Sequence, residues 1–213
     1  MATRTRTEGP DAGEARAAKA RLRAVIAAER RELADVLGGL SADQWDAPSL
    51  CAGWRVREVA AHMSMGFRLT LPRTLGELAR SGGRLHRMTD RVARRDAAAM
   101  TPDALVAALR ENATHPWTPP VGGLAAALGH DVVHGLDITV ALALDRRVPA
   151  ERLRLVLGGV DRRSLRFFRS GLEHHALRAT DLDWTLDGSG SAGALEAPAQ
   201  ELVLRAFGRG PSR

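Results

Sequence analysis

His130 and His134 stand four residues apart inside the apolar run 121–144. On a helix that spacing puts both imidazoles on one face, about one turn apart, within reach of a single metal ion. Asp137 follows His134 by three and shares that face. A carboxylate there can hold a ligand histidine's second nitrogen. The competing reading is a pair of core histidines, each satisfied by a backbone carbonyl. A pair also supplies only part of the three or four ligands that zinc takes. A third ligand must come from elsewhere, and His62 is the natural candidate. It lies close to the core face set by Val59, Met63, Gly66 and Phe67, with Glu58 one turn earlier on the same side. Three histidines with a fourth position open suit a catalytic divalent metal, Zn2+ first by ligand type. Such a metal would bring bound water near neutrality, or bind a thiol as thiolate.

The elements that must position these residues read as helices. The run 121–144 has no proline, is rich in Ala and Leu, and is apolar on nearly every side, which predicts a helix buried in a bundle. A first helix is expected over 14–37, with Leu22, Ile26, Leu33, Val36 and Leu40 as its core seam. Glu29 falls on that seam, either turned to water at its edge or facing an internal polar site. Ser41 can cap a short turn ending near Trp45, and Trp45 and Trp54 read as packing anchors. A second helix is expected over 54–78, kinked at Pro72. A less regular helix follows in 84–101. Another begins at Thr101 as N-cap with Pro102 at N1, and a further one covers 149–168. From Gly171 the character changes. Residues 177–186 read as a strand or hairpin arm, 187–191 as a turn and 193–195 as a short strand, before a last helix over 197–207. The expected organisation is a disordered stretch 1–13, a metal-binding bundle 14–170 and a small strand-helix appendage 171–213.

With 45% hydrophobic residues, 4% aromatics and no tyrosine, a mainly helical protein is favoured over a sandwich or barrel. The net charge of +6 raises nucleic acid as a partner. Lys19 is the only lysine among 31 basic residues, and the arginines are spread along the chain among acids. That is the pattern of a GC-rich coding bias and of solvated helix faces, so no nucleic-acid partner is expected. Cys51 is the only cysteine, which excludes an intramolecular disulfide. It reads as a small buried hydrophobe beside the tryptophans. As a nucleophile it would lack a histidine nearby in sequence. Residues 1–13 carry no apolar signal segment, and the run 121–144 holds two histidines and two aspartates that lipid would resist. A cytoplasmic protein without a membrane span is expected; oligomeric state is not readable.

Three blocks carry a family resemblance. Residues 40–62 read LSADQWDAPSLCAGWRVREVAAH, residues 130–138 read HDVVHGLDI, and residues 177–185 read LRATDLDWT with the closing Phe207-Gly208-Arg209. Over residues 20–209 the chain resembles the mycothiol-dependent maleylpyruvate isomerase family, within the DinB-like superfamily of metal-binding four-helix bundles. The resemblance implies a DinB-like four-helix bundle with a small C-terminal α+β tail. It implies His62, His130 and His134 as metal ligands, mycothiol as thiol cofactor and an actinobacterial source. The isomerase carries Glu at the position matching His130; His here keeps the metal site and leaves the substrate open. The implied activity is a mycothiol-using isomerase or S-transferase acting on a small electrophile. Asp137 and Glu58 would hold the ligand histidines or handle protons, and Arg178 and Arg209 would bind substrate. A non-catalytic DinB-like stress protein and a metal-dependent hydrolase are the alternatives.

Overall fold

Local signals start and stop most of the helices. A computed structural model of the chain describes residues 12–190 and 193–209. Its elements run α1 (Ala12–Gly38), α2 (Ala42–Asp46), α3 (Val56–Arg68), α4 (Leu71–Arg80), α5 (Leu85–Ala99), α6 (Pro102–Glu111) and α7 (Gly123–Thr139). They continue with α8 (Ala150–Leu157), α9 (Arg162–Phe167), β1 (Ala176–Ala179), β2 (Thr185–Leu186), β3 (Ala194–Ala197) and α10 (Ala199–Ala206). Ser41 accepts from the Gln44 amide while the Gln44 side chain returns to the Ser41 amide, a full capping box. Thr101 caps α6 with Pro102 in its first turn.

Several expected helices differ. The helix expected over 54–78 is two helices, because Pro72 has no N–H to donate to the carbonyl of Arg68. The chain ends α3 there, and Pro72 sits in the first turn of α4. Residues 85–99 form a regular helix. The central helix is shorter than 121–144: α7 closes at Thr139, and Ala143 turns the chain through the left-handed region at φ 51°. The helix expected over 149–168 is cut at Gly158-Gly159, and Asp161 caps a new one through the Ser164 amide. Ala12 and Gly13 already belong to α1; the rest of the expected disordered stretch, 1–11, and Ser191 of the expected turn lie outside the described residues.

α1 packs on α6 and α7, and α3 packs on the same two, closing a four-helix ring. Leu33 and Leu37 of α1, Val59 and Met63 of α3, Leu105 and Leu109 of α6 and Ile138 of α7 fill it. At Gly135 a methyl group would lie 2.6 Å from Leu33 Cδ2, so any larger residue there would make the Leu33 side chain shift. α5 packs along α3.

The tail forms a three-stranded sheet in the order β2-β1-β3, with β1 antiparallel to β2 and parallel to β3. Its Leu177, and Leu202 and Val203 of α10, share one core with Leu128, Val132 and Leu136 of α7 and Leu153 and Leu157 of α8. α7 is therefore buried from two sides, which explains a sequence apolar nearly all round.

Glu29 faces an internal polar site. It is fully buried and pairs with Arg146 at 2.8 Å and with Arg152, which also reach Glu32. Among the described residues no helix is long and apolar enough to cross a membrane.

Candidate metal centre

α3 carries His62, and α7 carries His130 and His134 one turn apart; these helices pack together and turn the three rings toward one point. The ring centroids are 5.1, 4.9 and 4.7 Å apart for the pairs 62–130, 62–134 and 130–134. One nitrogen from each ring lies within 4.8 Å of the others. Nε2 of His62 and Nε2 of His130 face each other at 3.2 Å. Donor atoms of a tetrahedral site with bonds of about 2.0–2.1 Å stand about 3.3 Å apart, so this spacing fits an edge of such a site.

The other nitrogens of the α7 pair are taken. His130 Nδ1 meets Asp131 Oδ1 at 2.9 Å, and His134 Nδ1 meets Asp137 Oδ2 at 2.9 Å. Each carboxylate accepts a ring N–H, which leaves Nε2 with its lone pair as the available donor. Among the described residues His62 Nδ1 has no hydrogen-bond partner, and it is buried. The donor set is three imidazoles, which fits a divalent metal of the zinc type.

Asp137 is the hub of the second polar group. Besides His134 it accepts from Arg209 Nε and Nη2, both at 3.0 Å, and from the Cys51 thiol at 2.9 Å. Burial works against its charge, but His134 and Arg209 outweigh it and bring its pKa down to about 2. Cys51 Sγ lies 3.7 Å from His134 Nδ1, so the histidine that seemed to be missing is supplied from 83 residues away. Burial and the Asp137 charge push the thiol up to about 12, so it stays protonated and serves as a donor. The expectation of a simple buried hydrophobe is corrected accordingly. The Cys51 loop is seated on α7 by a bond from the Leu50 amide to the Asp137 carbonyl, 2.9 Å long.

Not every expected residue comes to this point. Glu58 lies at the start of α3, where it accepts from the Arg55 amide at 2.8 Å and pairs with the Arg55 guanidinium at 2.6 Å. It is a helix-capping residue, with both oxygens engaged away from the histidines. Arg209 is held on Asp137 and on the Phe207 carbonyl. Arg178 sits on β1 with its side chain 64% exposed, facing Glu196 at 3.7 Å. Trp45 is a buried anchor as expected, whereas Trp54 packs its ring 5.2 Å from His62 and donates to Asp90. Trp117 lies edge-on to His130 at 5.4 Å and rests on bare backbone at Gly66, where a methyl would come within 2.2 Å of the indole. Asp131, Arg30, Cys51 and Trp117 are the residues that sequence reasoning left out. Arg30 had a signal, since it stands one turn from Ile26, beside Glu29 on the core seam of the first helix.

Burial lowers the pKa of His62 well below the ordinary value and lowers that of His134; neighbouring imidazoles add to both, and Asp137 opposes the shift at His134. Both rings are therefore neutral at pH 7. An unfolded chain protonates these histidines near pH 6.5, before the folded one does, so acid favours unfolding below that point. The metal-free protein is expected to be most stable above pH 6.5. It should lose up to about 1.4 kcal/mol per pH unit for each histidine as the pH falls below that value. Asp137 adds a further loss between about pH 4 and its folded value of about 2. Urea midpoints of the metal-free protein from pH 7.5 to 5 check this; a flat profile would mean that the rings are not buried neutral.

Residues 26–116 match the family model described as "Mycothiol maleylpyruvate isomerase N-terminal domain". Over these residues the chain is similar to that domain family. The matched stretch includes Cys51, Trp54 and, on α3, His62, while His130 and His134 lie beyond it. No curated protein and no solved structure matches the chain significantly.

Proposed function

We propose that the protein is a metal-dependent, mycothiol-using isomerase or S-transferase acting on a small electrophilic substrate. Its metal ligands in this reading are His62, His130 and His134. The observation that carries it is the convergence of three imidazoles, with two Nε2 atoms 3.2 Å apart, in a chain that matches a mycothiol-family domain over residues 26–116. A divalent metal, zinc by donor type, would supply a Lewis acid that lowers the pKa of a thiol at neutral pH.

The chain's own residues provide the setting. Asp137, kept ionised by Arg209, holds the proton of His134 on Nδ1 and so keeps Nε2 free. The Cys51 thiol, protonated and bonded to Asp137, does not compete as a nucleophile. Trp54 and Trp117 flank the rings and limit access by water.

Cobalt(II) in place of the native metal reports on the ligands. Mycothiol added to the cobalt-loaded protein is expected to produce a sulfur-to-cobalt charge-transfer absorption in the near ultraviolet. Cobalt bound with no spectral response to mycothiol would overturn the thiol half of the reading. Failure to bind cobalt or zinc at all would overturn the metal half.

A further inference from the structure

His130 is held by more than its place on α7. Asp131 touches its Nδ1 with one oxygen and, with the other, accepts from Arg30 Nε at 2.7 Å. Arg30 and Asp131 are both 1% exposed. Arg30 comes from α1, and its Nη1 donates to the carbonyls of Ala113 and His115 at 3.3 and 2.9 Å, in the segment between α6 and α7. Its guanidinium carbon lies 4.7 Å over the Phe67 ring of α3. The His115 ring accepts from the Trp117 amide, and Trp117 meets His130 edge-on. One buried cation thus joins α1, α3, the 113–117 segment and, through Asp131, a histidine of the centre.

Stability does not account for such a pair. A buried ion pair recovers little more than its desolvation cost, and apolar residues of equal volume often serve as well. What a carboxylate against one ring nitrogen does is select a tautomer and fix the ring plane. We propose that Arg30 and Asp131 are positioning residues for His130. They hold its proton on Nδ1 and its Nε2 lone pair toward His62, and they fix the ring relative to Trp117. The inference rests on reading the three histidines as ligands, but the choice of tautomer is a property of the metal-free chain and can be read without metal.

The test pairs two measurements on the full chain. Long-range nitrogen–proton correlation spectra of the metal-free protein should show His130 protonated at Nδ1. In Asp131→Asn, whose amide can donate to Nδ1, the proton should move wholly or partly to Nε2. Zinc affinity, from competition with a chelator, should fall about 10–100-fold in that variant. A wild-type His130 protonated at Nε2 overturns the proposal, and so does a folded Asp131→Asn protein with unchanged zinc affinity. Should the variant not fold, the wild-type tautomer decides alone. Should the wild type bind no zinc, the metal reading fails and the tautomer in the two proteins still decides the positioning role.

Discussion

A His134→Ala protein is expected to purify with metal at background level where the parent chain carries about one ion. Zinc sites use three or four protein ligands, and His62 with His130 alone would leave two. His134 is also the ring through which Asp137, Arg209 and Cys51 communicate with the centre. The loss should not come from unfolding. Asp137 keeps its bonds to Arg209 and Cys51 in the variant, so its carboxylate stays satisfied. Elemental analysis after loading with zinc and desalting, beside a thermal melt of the metal-free proteins, separates the two effects. A variant that keeps a stoichiometric ion would remove His134 from the ligand set.

Glu29→Ala is expected to have the largest effect on stability. Glu29 is fully buried between Arg146 and Arg152, whose side chains are 5% and 11% exposed. Removing one member of a buried pair leaves the other charge without its partner, at about 3–5 kcal/mol. Glu32 remains to hold part of both arginines, so about 3 kcal/mol is the expected loss. Urea denaturation should show a lower midpoint with an unchanged slope. A shift within about 0.5 kcal/mol, as for an ordinary surface change, would mean that Glu32 alone satisfies the arginines.

The helical class, most of the helices and the three histidines were legible in the sequence because they rest on local rules. Apolar spacing marks a seam, Ser41 and Thr101 mark starts, and two histidines four apart share a face on any helix. What was not legible depends on distant partners. Glu29 looked like a seam-edge acid because its arginines lie 117 and 123 residues further on. Cys51 looked inert because His134 and Asp137 come 83 and 86 residues later. Asp131 was passed over for the opposite reason. It is the immediate neighbour of His130, and adjacent helical residues ordinarily point apart; here the two side chains bend together at 2.9 Å. Glu58 was drawn toward the site by its spacing from His62, yet the start of a helix claimed it.

The seating of Asp137 has a consequence for how the protein matures. Arg209 lies 72 residues beyond Asp137 in the chain, and Cys51 lies 86 before it. During synthesis all three histidines leave the ribosome well before Arg209 does. An ion that met the nascent chain early would find His134 without the guanidinium that secures its carboxylate partner. The hydrogen bonds around Asp137 are complete only once Arg209 has docked, so a metal bound by the three histidines would meet its full setting only after that segment has folded.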